Sequence, residues 1–129
     1  MVDVAGDARI IHFKIEGKSV SILDCGKPRR SDVIALIEEA KKKNLVVNLV
    51  GATLSKIDLS GLNFARGDIS NADLSGSNLS KSNFFNANLS HANLSNANLS
   101  GADFSFANMA GADRKGADLS DANLFKTNM

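Results

Sequence analysis

Few side chains in this sequence are spaced for covalent or metal chemistry. One cysteine, Cys25, and two histidines, His12 and His91, lie far apart, without the short Cys/His spacing of a metal site. Serines are abundant, but none sits in a G-x-S-x-G elbow, and the glycines form neither a phosphate-cradling nor a dinucleotide motif. No catalytic residue, cofactor or metal is therefore predicted, and the chain is not expected to be an enzyme. The residues that stand out could instead make contacts. Arg114 puts a guanidinium where its neighbours in the pattern are leucines, and Phe85, Phe106 and Phe125 interrupt a Ser/Asn background.

These residues acquire positions from a repeat. Stepping by five from Leu49 to Met129, sixteen of seventeen residues are large and apolar, Arg114 being the exception. The residue before each of these centres is Asn or Asp in sixteen of seventeen cases, Thr53 excepted, and the one before that is mostly alanine. A disordered polar tract would not hold such a phase. A period of five suits neither a helix nor a plain strand. One unit cannot bury its leucine alone, so the units must coil and stack. Phe64, Phe84 and Phe104 fall twenty apart, followed by Leu124, which points to four units per layer with a size-matched ladder in one column. The Asn and Asp side chains are expected to bond nearby backbone at the corners, as in Asx turns.

Ala87-Asn88-Leu89-Ser90-His91, Ala92-Asn93-Leu94-Ser95-Asn96 and Ala97-Asn98-Leu99-Ser100-Gly101 resemble the A-(D/N)-L-x-x consensus of pentapeptide-repeat proteins. The resemblance covers about two-thirds of the chain. It implies a right-handed parallel β-helix of square cross-section with four pentapeptides per coil. Seventeen units then make about four coils, and at ~4.8 Å per layer a rod roughly 20 Å long. It also implies a function found in some relatives, which mimic DNA and bind type II topoisomerases such as gyrase. Residues 47–129 carry seven Asp against six Lys and Arg, a net charge of −1, and a DNA mimic should be far more acidic.

In this register Phe85 and Phe125 take the outward position just after a Phe-column centre, and Phe106 the next one along. All three should line one edge of the rod, as a contact site or as cover for the turn backbone. Arg114 belongs to the outermost layer and is expected to snorkel into water. The repeat stops at Met129, so Met109, Leu124 and Met129 are expected to leave an apolar end, which end-to-end dimerisation or another protein would cover.

Ahead of the repeat, residues 1–46 hold nine of the fifteen Lys and Arg and the only proline, Pro28. Ile11, Phe13 and Ile15 alternate with His12, Lys14 and Glu16, the pattern of a half-buried strand. A Gly17-Lys18 turn places Val20 opposite Ile15 and Ile22 opposite Phe13. Ser31 is a candidate N-cap for a helix whose stripe is Val33, Leu36, Ile37 and Ala40, ending at Asn44. Lys27, Arg29 and Arg30 read as a solvated basic loop. The segment is expected to be a ββα cap on the first coil, hiding open strand edges. Residues 47–129 form the solenoid, mainly β.

A net charge of +1 marks no strong nucleic-acid footprint. No membrane span or signal peptide is legible. A lone cysteine cannot form an internal disulfide, which fits the cytoplasm. The leading functional expectation is a non-enzymatic protein-interaction scaffold that contacts an unidentified protein or a second copy of itself. It needs no cofactor and is expected to bind neither nucleic acid nor membrane. The DNA-mimicking, gyrase-binding function is the alternative.

Overall fold

The computed structural model describes residues 11–23 and 27–129; Cys25 lies outside them. Strands β1 (Phe13–Glu16) and β2 (Ser19–Ile22) form a hairpin in which Phe13 pairs with Ile22 and Ile15 with Val20. Gly17 supplies the left-handed turn residue with φ 59°. Val20 is fully buried and Phe13 half-buried. Ile15, beside the turn, is exposed, so the buried face of β1 fades toward the hairpin tip.

Helix α1 (Arg30–Lys43) begins earlier than Ser31 suggested as a cap. Arg29 occupies the cap position, and Asp32, three residues on, accepts its backbone N–H at 2.8 Å. The buried carboxylate thus satisfies the cap backbone. Asn44 ends the helix in the left-handed conformation at φ 54°. Val33, Leu36 and Ala40 are buried in one contiguous core with Val20, Val47, Leu49, Leu54 and Leu59. Arg30 is not solvated as expected. Its guanidinium donates to the carbonyls of Asp58 and Ser60 at 3.0 and 3.1 Å, and lies 3.3 Å from the Asp58 carboxylate.

Strand β3 (Val46–Val47) carries the chain into the repeat. It pairs in parallel with β2, and Asn48 donates to Val20 O at 2.8 Å. On its other side, Asp68 donates to Val47 O at 2.9 Å. The hairpin is therefore hydrogen-bonded into the ladder that continues through the repeat.

Beyond Val47 the chain is mainly β without long strands. Parallel bridges join residues twenty apart, from Asn48↔Asp68 to Asn108↔Asn128. Each centre donates its N–H to the next layer and the residue before it donates to the previous one: Leu74 to Asn93 O at 2.8 Å, and Asn93 to Ala72 O at 2.9 Å. Side chains at the centres fill the interior. Phe64, Phe84 and Phe104 stack with ring centroids 5.0 Å apart and planes 10° and 4° from parallel. Serines replace alanine at two inward positions without leaving a polar atom unsatisfied. The hydroxyl of Ser82 donates to Leu59 O at 2.8 Å, and that of Ser77 to Leu54 O.

Corners follow one rule. From Asn48 to Asn123, the Asn or Asp ahead of a centre accepts the backbone N–H two residues on, as Asp73 does from Ser75 at 3.0 Å and Asn93 from Ser95 at 3.0 Å. The residue two after each centre adopts the left-handed conformation. Glycine supplies it at six such corners, and Asn at 71, 86 and 96.

The corner bonds make the rod acid-sensitive. Hydrogen bonds from Ser75, Ser60 and Ser120 hold the carboxyls of Asp73, Asp58 and Asp118 below their ordinary value of 3.8. A carboxyl depressed by folding contributes stability that is complete above its unfolded value and is lost as pH falls through the folded one. The thermal midpoint should thus hold from pH 7 to about 5 and fall below about 4. In Asp73→Asn, which keeps the accepting oxygen, circular-dichroism melts should show a smaller acid loss. An identical loss would assign the effect elsewhere.

Candidate functional site

The three outward phenylalanines meet. Phe106 sits between Phe85 and Phe125 with centroid distances of 5.7 and 5.6 Å and interplanar angles of 72° and 82°. This edge-to-face order sets the positive edge of one ring against the negative face of the next. Phe85 is half-buried, whereas Phe106 and Phe125 are 45% and 59% exposed. The rings thus cover one another and still present an apolar surface.

Phe106 is the least expected residue of the three. It takes the left-handed corner at φ 61°, a position filled at other corners by Gly, Asn, Lys, Arg, His or Asp. A bulky side chain there carries a strain of about 1 kcal/mol. Burial accounts for only part of its presence, since 45% of the residue stays exposed.

Two cations complete the edge. The guanidinium of Arg66 lies 5.5 Å from the Phe85 centroid, and the ammonium of Lys126 lies 5.9 and 5.5 Å from those of Phe106 and Phe125. Neither has an ion-pair partner among the described residues. The sequence reading missed both. Spacing held the signal, because Arg66, Asn86, Phe106 and Lys126 recur at twenty-residue steps and therefore share a corner.

Arg114 lies apart from this edge. It is partly exposed in the last layer, with Nη1 3.8 Å from Met129 Sδ and Nε buried without a hydrogen-bond partner. Leu124 and Met129 are exposed at 36% and 44%. Leu124 thus continues the Phe64/Phe84/Phe104 column but not its burial. Met109, expected to be exposed, is fully buried, because the chain returns over it: its N–H donates to Asn128 O at 2.6 Å. His91 is exposed, its ring lying over the corner of Gly111. Among the described residues no group of three or more His, Cys, Asp or Glu is placed to hold a metal ion, and no helix is long and apolar enough to cross a membrane.

A repeat of this period invites comparison with known families. The pentapeptide-repeat model matches eight copies over residues 47–80 and 82–113. The chain belongs to the pentapeptide-repeat family. A crystal structure of a pentapeptide repeat protein from Nostoc PCC 7120 is 32% identical, with a TM-score of 0.58, over 67% of this chain and 74% of that one. Rfr23, a pentapeptide repeat protein from the cyanobacterium Cyanothece 51142, is 33% identical with a TM-score of 0.35, over 64% and 56% of the two chains. QnrB1, a plasmid-mediated fluoroquinolone resistance protein, is 20% identical with a TM-score of 0.24, over 64% and 68%. No curated protein matches the chain.

Proposed function

We propose that this chain is a non-enzymatic protein-interaction scaffold: a right-handed, four-sided β-helix of about four coils, capped by its ββα segment, that docks a partner on the Phe85/Phe106/Phe125 edge. The observation that carries this reading is Phe106, a partly exposed aromatic held at a corner between two further rings. An apolar ring left 45% exposed at a corner that elsewhere carries Gly or polar residues points to a contact surface. The capping role is supported by α1, whose apolar stripe shares a core with Leu49, Leu54 and Leu59. Self-association through the same edge belongs to the proposal, and so does a cytoplasmic location, supported by the single cysteine.

DNA mimicry of a topoisomerase substrate is the weaker reading, since residues 47–129 carry a net charge of only −1 and the aromatic edge carries cations. Inhibition of gyrase supercoiling by micromolar protein would restore it.

Substituting Phe106 by Asn, the residue at corners 71, 86 and 96, separates function from fold. The variant should unfold within about 1 kcal/mol of wild type, because relieved corner strain offsets the lost ring contacts. Partner capture from the native host, and any concentration-dependent self-association in light scattering, should fall together. Undiminished capture by Phe106→Asn and by the Phe85/Phe106/Phe125→Ser triple variant would sink the assignment of this edge.

A further inference from the structure

The aromatic edge does not end at Phe85. Arg66, which covers that ring, also lines a groove of about 490 Å³ between α1 and the first coil. Ile34, Ile37 and Leu62 give this groove its apolar wall, and Lys41 and Arg66 outnumber its one acid, Glu38. Groove and ring ladder thus form one strip along the rod, apolar at its centre and cationic at Lys41, Arg66 and Lys126. The ladder also has a pitch. Successive rings are 5.7 and 5.6 Å apart, close to the ~5.4 Å turn of an α-helix and short of the ~6.6 Å between same-face residues of a strand.

We infer that the occupant of this strip is an acidic amphipathic helix of a partner protein, lying along the rod with one apolar residue per turn on the rings. This rests on the interaction-scaffold reading and names its partner class. Leucine or methionine at i, i+4 and i+7 packs on the exposed surface of the Phe85/Phe106/Phe125 ladder, while flanking carboxylates reach Arg66 and Lys126. Among the described residues those cations have no acidic partner and already lie on the aromatic rings, so a carboxylate gains a pair there. Two turns bury little area, so the contact is weak and salt-sensitive.

Fluorescence anisotropy with the full chain tests this. The probes are a labelled helical peptide of about 18 residues with Leu at i, i+4 and i+7 and Glu on both flanks, its Lys-flanked counterpart, a proline-interrupted Glu version, and a single-stranded oligothymidylate. The acidic helix should bind in the micromolar range. Its binding should weaken roughly tenfold in Phe106→Asn, in Arg66→Glu and on raising salt from about 50 to about 500 mM. Absence of binding, equal binding of the Lys-flanked or proline-broken peptide, or displacement of the acidic helix by the oligothymidylate would overturn the inference. If partner capture still depends on Phe106 while the acidic helix fails, the scaffold reading survives and the helix assignment falls. If capture is indifferent to Phe106, the scaffold reading itself falls.

Discussion

Phe84→Ala is expected to destabilise the protein by about 3–5 kcal/mol, the largest effect of any single truncation in the repeat. Phe84 is 1% exposed and is sandwiched between Phe64 and Phe104 at 5.0 Å on either side. Its removal leaves a void that the layers cannot close, because their spacing is set by backbone bonds: Phe84 donates to Asp103 O at 2.7 Å, and Asn83 to Leu62 O at 2.9 Å. The cost is therefore the transfer term together with a cavity that stays open. Phe84→Leu puts into this column the residue that serves as centre in the others. It should cost less than about 1.5 kcal/mol. Urea unfolding with a constant slope measures both. Equal losses for the two variants would mean that the column does not select for size.

Leu36→Asp is expected to cost roughly 3–5 kcal/mol, because it buries an uncompensated carboxylate where α1 meets the first coil. Leu36 is fully buried, in one core with Val33, Ala40, Leu49, Leu54 and Leu59. Loss of the helix would open the core it shares with the first coil and loosen β2, which now pairs the strand edge at Val47. The whole rod should then melt earlier, and light scattering should report aggregation on heating. If the segment were only tethered, the melt of the repeat would be unchanged and only the helical signal would disappear. The outcome separates a cap from an appendage.

The repeat was legible because its information is local and redundant. Each leucine, alanine and Asn/Asp declares its place by counting fives, and Phe64, Phe84 and Phe104 declare the layer by counting twenties. The hairpin register was readable for the same reason, since a two-residue turn at Gly17 leaves one pairing that keeps Val20 and Phe13 on one face. Helix capping was not. Ser31 has the usual side chain for an N-cap, but Asp32 lies three residues on from Arg29 and accepts its backbone N–H, a local contact that outweighs the preference for Ser at the cap. Arg30 was misread as solvated because its partners, Asp58 and Ser60, lie 28 and 30 residues away.

The candidate site was half legible. Phe85, Phe106 and Phe125 were recognisable as departures from the repeat, and counting by layer put them on one edge. Arg66 and Lys126 were overlooked because a charge at an outward position looks ordinary until its cross-layer neighbour is an aromatic ring. Met109 was misplaced because the last residues were read as an open end, whereas the chain comes round once more and covers it.

The central claim is that partners meet this protein at the aromatic edge. It is tested most directly by replacing Phe106 with the photoreactive p-benzoylphenylalanine, in parallel with the same replacement of Asn96, the equivalent corner half a layer away. Irradiation in the native host should yield a discrete cross-linked species from position 106 and none from position 96. Equal cross-linking from both corners, or from 96 alone, would contradict the account.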